Sequence, residues 1–378
     1  MSNSLLRPAL VLGLLSCIGP FAIDMYLPAM PLIGAELGAS VQAMQGTITA
    51  YFIAFGLAQL IYGPWADQAG RKPPLYAGIA IFCLGTLICA MAGSAEVLWA
   101  GRFVQGTGAA ALMVVPRAII RDLSTGHEAT RMMAAIMLVI SVSPMLAPLA
   151  GAGLMAFTGW RAIFVALLGA AVVSLALLWF AQPETLAIQH RARFRMSETL
   201  LGARRLMTDR GFLSLTFVGA FGMASFFVFI ASAAFVYTER YGLSPTGFSL
   251  AFAVNAMAFI GASQVAGPLG MRLGAMRLMR LASLGFALSA CALFATAISG
   301  PIGLATCIIG LAIGNAFLGV VIPTTMVMAL DDHGEYPQIY ERFATVIGAR
   351  ACAVDREPLR IAADAFMVAR RESVAAFA

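Results

Sequence analysis

The chain reads Gly63-Pro-Trp-Ala-Asp67-Gln-Ala-Gly70-Arg71-Lys72-Pro73 and, about 205 residues later, Gly267-Pro-Leu-Gly-Met-Arg-Leu-Gly274. A second pair, Val114-Val-Pro116 and Val321-Ile-Pro323, recurs at nearly the same spacing. Each member follows or belongs to a long apolar segment. A repeat of this length made of apolar helices is typical of secondary transporters built from two related helix bundles.

The composition indicates a membrane protein. Hydrophobic residues make up 61% and charged residues 11% of the 378 residues, whereas roughly 25% are charged in a soluble domain. The net charge is +6, but the arginines lie between apolar segments, which places them at a membrane surface rather than in a nucleic-acid groove. The six cysteines show no CxxC spacing, and we interpret them as packing residues.

Ten segments are long and apolar enough to cross a bilayer, so the predicted fold class is an all-α polytopic membrane protein. We predict spans at residues 8–28, 46–64, 74–93, 98–118, 132–155, 161–181, 211–235, 247–268, 278–298 and 301–329. The repeat then defines an N-terminal six-helix bundle at 1–182, a linker at 183–210, an incomplete C-terminal four-helix bundle at 211–330 and a polar tail at 331–378.

Charge in the loops predicts the orientation. Nearly all cationic side chains lie on one side, in the loops that include Arg71, Lys72 and the 183–210 linker, whereas the opposite loops carry Arg161 and Arg240. Because cationic loops stay in the cytoplasm, we expect both termini and the linker to be cytoplasmic.

The repeat predicts two further helices after residue 330. The sequence from Glu335 onward instead carries frequent charges, and each charge at the centre of a span costs roughly 2.5–3.5 kcal/mol. We therefore expect ten helices instead of twelve, as in a truncated or frameshifted chain, followed by a cytoplasmic tail.

Asp24 is an acid inside the first apolar span, four residues before Pro28. A carboxyl group at this depth is costly, so it indicates a site that binds and releases a proton or an ion. The alternative is an acid near the outer rim that snorkels to the interface.

Arg102 lies in the fourth span at a depth that matches that of Asp24. Because arginine keeps its proton, it would hold a neighbouring carboxylate in the charged form. The repeat partners of the two residues, near Ile230 and Ile309, are apolar, which confines this charge chemistry to the first half. The alternative is a structural arginine that snorkels.

The loop between the second and third spans is a candidate gate formed by Gly63, Asp67, Gly70, Arg71 and Lys72. An acid at the C-terminal end of a helix is disfavoured by the helix dipole, so Asp67 needs Arg71 or Lys72 as a cationic partner. The two glycines allow a tight turn with positive φ. The alternative is an ordinary cytoplasmic turn, but the partial repeat at 267–274 favours the gate.

The fifth span contains Pro144, Pro148 and Gly151. Two prolines four residues apart bend a helix on one side, and glycine allows close packing, so we expect this helix to rock against the other half of the protein. The alternative is simple packing.

Aromatic and polar side chains in the spans predict an amphipathic cavity for a mostly apolar ligand. The candidate lining residues are Phe21, Tyr26, Tyr51, Gln105, Phe226, Asn255 and Asn315. For each residue, the alternative is a contact between helices. The sequence contains no HExxH, P-loop or metal-spaced cluster, so we expect no enzyme activity, no metal and no cofactor.

Several of these motifs resemble those of the major facilitator superfamily. The segment Gly63 to Lys72 is similar to its loop 2–3 motif, and Arg102-Phe-Val-Gln105-Gly-Thr-Gly108 to the helix-four motif of proton-coupled members. Ser143-Pro-Met-Leu-Ala-Pro148-Leu-Ala-Gly151 resembles a variant of the helix-five motif of drug antiporters.

Two further segments, Ile23-Asp24-Met-Tyr26-Leu-Pro28-Ala-Met-Pro31 and Gly159-Trp-Arg161, resemble the bicyclomycin-resistance (Bcr/CflA) branch, and the similarity covers about residues 5–335. The resemblance implies twelve helices, alternating access and export of drugs such as bicyclomycin or chloramphenicol in exchange for protons. It also assigns proton coupling and substrate binding to Asp24 and Arg102. In the family, helix eleven lies beside helix two, so the departure after residue 335 affects the gate.

We therefore expect a drug:proton antiporter of the inner membrane. Its partners would be the lipid bilayer, a small amphipathic drug-like substrate and protons, with no nucleic acid and with a monomer as the working unit. Two alternatives stay open, namely a proton-coupled transporter of a small metabolite and a remnant that does not transport.

Overall fold

The computed structural model describes residues 3–123, 126–191, 208–300 and 302–331. Helices account for most of these residues, and no strand occurs among them. The predicted polar tail lies outside the described residues from position 332 onward, as does the part of the predicted linker at 192–207.

Ten helices in the described ranges are long and apolar enough to cross a membrane, which confirms the predicted all-helical fold class. They are α1 (Asn3–Asp24), α2 (Val41–Ala69), α3 (Lys72–Ala90), α4 (Ala95–Leu123), α5 (Gly126–Thr158), α6 (Arg161–Ala181), α7 (Arg210–Phe235), α8 (Pro245–Leu273), α9 (Ala275–Ser299) and α10 (Leu304–Asp331). Several helices extend beyond the predicted apolar spans, because a helix keeps its backbone bonds where it emerges from the hydrocarbon layer.

The chain divides into two compact units, Met1–Phe194 and Arg195–Ala378. In the first unit, α4 packs against α2 and α3, and α1 packs against α4, α5 and α6. In the second unit, α10 packs against α7, α8 and α9. The boundary between the units falls inside the segment 183–210 that the sequence predicts to be a linker.

The first span does not end near residue 28 as predicted. The helix α1 stops at Asp24, a 3-10 turn covers Leu27–Ala29, and a short α-helix, Met30–Leu37, continues in the apolar span. Pro28 and Pro31 lack the N–H groups that an unbroken helix would use, which accounts for the interruption. Asp24 therefore lies at a helix break about 20 Å along the chain from the end of the span, not one turn below it.

The prediction for Gly63 was also wrong. The helix α2 continues through Gly63 and Pro64 to Ala69, so Gly63 is helical and Asp67 belongs to the last turn of the helix. A proline removes one hydrogen bond without necessarily ending a helix. The helix ends at Gly70, where φ is 98°, a conformation that favours glycine.

Glycines bring α3 and α4 into backbone contact. Gly85 on α3 faces the backbone of Gln105, and Gly108 on α4 faces the backbone of Phe82, so a Cβ atom at either glycine would overlap main-chain atoms. Small residues allow this close approach, which is how helices associate in a membrane. The contact fixes the position of Gln105 on the face of α4 that points into the first unit.

We predict that Gly108→Ala lowers the melting temperature of the purified protein, since the added methyl group costs about 1–3 kcal/mol where backbone cannot yield. Gly169→Ala on α6 is the matched control, because a Cβ atom there meets no atom within 4 Å. Alanine stabilises an open helical position, so the control should melt at the same or a higher temperature. Equal melting temperatures for both variants would contradict this packing.

Candidate functional site

Arg102 occupies the centre of a cluster in the first unit. Its side chain is fully buried, and the guanidinium carbon lies 4.7 Å from the ring centre of Tyr26 and 4.5 Å from that of Tyr51. Aromatic faces attract cations, and the attraction grows when water is excluded. Two rings therefore stabilise a charge that the side chain cannot lose.

Hydrogen bonds fix one end of the guanidinium. Arg102 Nη1 donates to the Ala22 carbonyl at 2.9 Å and to Gln105 Oε1 at 2.6 Å. Gln105 Nε2 in turn donates to Thr86 Oγ1 at 2.8 Å, and Thr86 donates to the Phe82 carbonyl. Gln105 and Thr86 are also fully buried, and this series of bonds links Arg102 on α4 to α3.

The two tyrosines are held by bonds of their own. Tyr51 donates to the Gly19 carbonyl at 3.1 Å. Thr47 uses its only proton to reach the Met44 carbonyl, so Tyr26 is the donor in the 2.8 Å bond between Tyr26 and Thr47. These contacts hold both rings against the guanidinium.

The opposite edge of the same guanidinium carries unused donors. Arg102 Nε and Nη2 are buried and have no hydrogen-bond partner within the described part of the chain. These two groups point in one direction and match the two oxygens of a carboxylate. An acceptor at this edge would satisfy both donors and offset the free-energy cost of burying them away from water.

Asp24 is buried, with 5% of its surface exposed, and accepts a hydrogen bond from Ser143 Oγ at 3.2 Å. Ser143 lies at the start of the helix-five motif. Gly151, eight residues later, faces the backbone of Met25, so α5 meets the chain on both sides of the α1 break. The burial argues against the alternative in which Asp24 snorkels to the interface.

The expected ion pair between Arg102 and Asp24 is absent from the described residues. The contact of Arg102 with α1 is the Ala22 carbonyl. The cause is the end of the helix, because the last four carbonyls of α1 have no partner within it and attract a donor. Arg102 and Asp24 thus belong to one cluster but have different partners in this structure.

A second cluster surrounds Arg71 at the candidate gate. Arg71 donates to Asp67 at 2.5 Å and makes two bonds to Asp122, at 2.7 and 3.0 Å. Burial of Arg71 lowers the pKa of its guanidinium, but the bonds to Asp122 and Asp67 outweigh it, so the pKa lies above its usual value. Lys72 does not pair with Asp67; its ammonium lies 5.7 Å from the ring centre of Tyr76.

Glu184 joins this cluster from the segment after α6. Its carboxylate accepts the backbone N–H groups of Arg71 at 2.9 Å and of Lys72, Thr185 and Leu186 at 3.0 Å each. Pro73 and Pro74 have no N–H, so the carboxylate satisfies the donors that remain at the start of α3.

Gly70 makes room for this carboxylate, since a Cβ atom there would lie 2.7 Å from Glu184 Oε2. Partial burial raises the pKa of Glu184, but the amide donors outweigh it and lower the pKa below its usual value.

The sequence analysis missed several partners, namely Asp122, Glu184, Thr86 and the bond from Ser143 to Asp24. Asp122 carried a signal, because an acid at the C-terminal end of α4 opposes the helix dipole and needs a cation. Ser143 was quoted only as part of a motif. Thr86 had no local signal, since Gln105 lies on another helix, and Glu184 had none for its contact with Arg71 and Lys72, which lie far earlier in the chain.

The predicted cavity residues fall into two groups. Tyr26, Tyr51 and Gln105 surround Arg102, and Phe21 is half-buried on α1. In the second unit, Asn315 donates to Asn255 at 3.1 Å, which fits the alternative of a bond between helices.

Asn255 also donates to Tyr237, and Phe226 stacks on Phe259 with ring centres 4.7 Å apart. A mostly apolar cavity of about 170 Å³ lies between α7, α9 and α10, and Asn315 and Tyr237 line it. Phe226 and Asn255 are not among its lining residues. Among the described residues, no group of His, Cys, Asp or Glu side chains could hold a metal.

The sequence profile of the Major Facilitator Superfamily matches residues 12–353 of this chain. The Bacillus subtilis protein named uncharacterized MFS-type transporter YdgK is 34% identical over 329 residues, which cover 86% of this chain and 81% of that protein. The bicyclomycin resistance protein homolog of Haemophilus influenzae is 31% identical over 273 residues, 72% of this chain and 69% of that protein.

The chloramphenicol resistance protein of Pseudomonas aeruginosa is 33% identical over 279 residues, 74% of this chain and 65% of that protein. Among solved structures, the D-xylose-proton symporter aligns with a TM-score of 0.78 over 99% of this chain and 97% of that one, at 14% identity. A bacterial homolog of the human lysosomal transporter Spinster aligns with a TM-score of 0.69 at 15% identity. At these identities, the structural likeness shows the fold alone.

We predict that Glu184→Gln loosens the start of α3. The amide places an NH₂ group where the carboxylate accepted N–H donors, so backbone exchange at Arg71 and Lys72 should become about tenfold faster by hydrogen–deuterium exchange. Since the amide donors lower the pKa of Glu184, the native cap is complete above the ordinary glutamate pKa and is lost as the pH falls through the lowered value.

Thr185→Ala is the matched control, because it removes only the bond from Thr185 to Asp122 and leaves the Glu184 carboxylate in place. Unchanged exchange at Arg71 and Lys72 in Glu184→Gln would show that the carboxylate does not hold this turn.

Proposed function

Because the chain belongs to the Major Facilitator Superfamily and is therefore a membrane transporter and not an enzyme, we propose that it exports small amphipathic drugs in exchange for protons. The proposal commits to three points beyond the family: a drug-like substrate, protons as the coupling ion and opposite directions of movement. The observation that carries it is the buried pair of sites at Asp24 and Arg102.

The names of the relatives support the substrate class. Two proteins at 31% and 33% identity are named for resistance to bicyclomycin and chloramphenicol, and others at 28–30% are named multidrug resistance protein MdtL. The aromatic and apolar surroundings of Arg102 suit a ligand with a large apolar surface and few polar groups.

The proposed exchange uses the two buried groups in turn. Asp24 takes a proton from the side of higher proton concentration when no drug is bound, which removes a buried negative charge. After the transporter turns to the other side, drug binding favours release of the proton from Asp24. The free edge of Arg102 offers donors to an acceptor on the drug or to the ionised carboxylate.

The proposal also includes the location, the orientation and the working unit of the transporter. We place it in a bacterial inner membrane with both termini and the 183–210 linker in the cytoplasm, because loops rich in arginine and lysine stay on the cytoplasmic side of a membrane. We propose alternating access by the two bundles at 1–182 and 211–330, with the Asp67–Arg71–Asp122 cluster as a gate and the two prolines of α5 as a bend. A monomer is the proposed working unit.

We predict that Asp24→Asn abolishes drug transport driven by a pH gradient in proteoliposomes, because the amide cannot carry the exchanged proton. Chloramphenicol and bicyclomycin are the drug probes, and an amino acid and a sugar test the metabolite alternative. Glu96→Gln is the matched control, since Glu96 is an exposed acid at the start of α4.

Both variants should be produced at the level of the unmodified chain. Undiminished proton-driven drug export by Asp24→Asn would rule out Asp24 as the coupling acid. Export of the amino acid or sugar without export of either drug would favour the metabolite transporter.

A further inference from the structure

The helix α5 contacts the α1 break at two points of different chemistry. Ser143 Oγ donates to the Asp24 carboxylate at 3.2 Å, and both side chains are buried. Gly151 meets the Met25 backbone so closely that a Cβ atom would overlap it. The first contact involves an acid that can change charge, whereas the second depends only on shape.

Protonation of Asp24 would change the first contact and leave the second unaltered. A hydrogen bond to an ionised carboxylate is roughly twice as strong as one between neutral groups. An unsatisfied buried acceptor is costly, so the ionised carboxylate holds the serine in place, and the neutral acid holds it less firmly.

The other polar groups near this break are already engaged. From α4, Arg102 donates to the Ala22 carbonyl, and from α2, Tyr51 donates to the Gly19 carbonyl. Tyr26, which follows the break, donates to Thr47, and α6 contributes the apolar ring of Phe164 against Tyr26. Ser143 is thus the donor that the described residues direct to the Asp24 carboxylate.

The residues after Ser143 form the part of α5 that can bend most readily. Pro144 and Pro148 each lack an N–H group, so two hydrogen bonds of the helix are missing within about one turn. A change in the Ser143 contact therefore acts on a weakened stretch of helix, while Gly151 keeps its contact with Met25.

We propose that Ser143 is a positioning residue that links the proton on Asp24 to the packing of α5 against α1. The inference rests on the proposed function, in that Asp24 is the acid that exchanges protons. While Asp24 is ionised, α5 keeps both the Ser143 contact and the Gly151 contact. Protonated Asp24 releases the Ser143 contact, and α5 then bends at the prolines about the Gly151 contact.

The first measurement follows the proton on Asp24 without transport. A hydrophobic carbodiimide, which reacts with protonated carboxyl groups, labels Asp24 of the purified full chain across a pH series, and mass spectrometry gives the labelling midpoint. Ser143→Ala should move this midpoint to higher pH by about one unit, because the ionised form loses its donor. Ser143→Thr keeps a hydroxyl and should restore the original midpoint.

The second measurement follows α5 by hydrogen–deuterium exchange of residues 140–152, corrected for the intrinsic effect of pH. Exchange should speed up in the unmodified chain as Asp24 becomes protonated, and should be fast at every pH in Ser143→Ala. Ser174→Ala removes a buried serine on α6 and should leave both measurements unchanged.

The link between the proton on Asp24 and the packing of α5 would be overturned if the labelling midpoint is unchanged in Ser143→Ala. It would also be overturned if the exchange rate of residues 140–152 does not depend on the protonation of Asp24. If Ser143→Ala does not fold, Ser143→Cys supplies a weaker donor and should give a smaller shift in the same direction; no shift would overturn the link. If the labelling midpoint and the exchange rate change as expected but the chain does not export drugs in response to a proton gradient, only the proposed function is refuted. If the chain exports drugs but neither quantity changes, only the role of Ser143 is refuted.

Discussion

The first unit is organised around a permanent charge that has no access to water. An arginine keeps its proton, so the burial of Arg102 must be balanced by the protein itself. Two tyrosine faces, one backbone carbonyl and one glutamine oxygen provide this balance. Tyr26 and Ala22 come from α1 and the break after it, Tyr51 from α2 and Gln105 from α4, so the arginine determines how α1, α2 and α4 meet. Gln105 extends the contacts to Thr86 on α3.

The interruption of α1 leaves a backbone carbonyl that can accept a hydrogen bond from Arg102. An unbroken helix would use the Ala22 carbonyl internally, whereas a helix that stops at Asp24 leaves it for Arg102. The same break places Asp24 and Met25 against α5, where Ser143 donates to Asp24 and Gly151 packs against the Met25 backbone. A backbone irregularity at membrane depth is tolerated where it is buried in protein, and here it brings the acid and the arginine into one cluster.

The number of membrane-spanning helices follows from the sequence, because the apolar length of a span is a direct consequence of the bilayer as a solvent. Asp24 and Arg102 could be singled out for the same reason, since charges inside apolar spans are rare. The partner of Asp24 could not be predicted, because Ser143 lies on a helix far along the chain. The same holds for Thr86, which bonds Gln105, and for Glu184, which accepts the backbone N–H groups of Arg71 and Lys72. Pro28 and Gly63 were misread as boundaries, since a proline or glycine can interrupt, continue or end a helix depending on its neighbours.

Proton release on drug binding is the most direct measure of the proposed exchange of a drug for the proton on Asp24. Purified protein in weakly buffered solution is mixed with chloramphenicol, and a pH indicator follows the proton while drug binding is measured in parallel. If Asp24 carries the exchanged proton, the unmodified chain releases protons as it binds the drug and Asp24→Asn releases none. Binding without proton release by the unmodified chain, or equal release by Asp24→Asn, would contradict the proposed exchange.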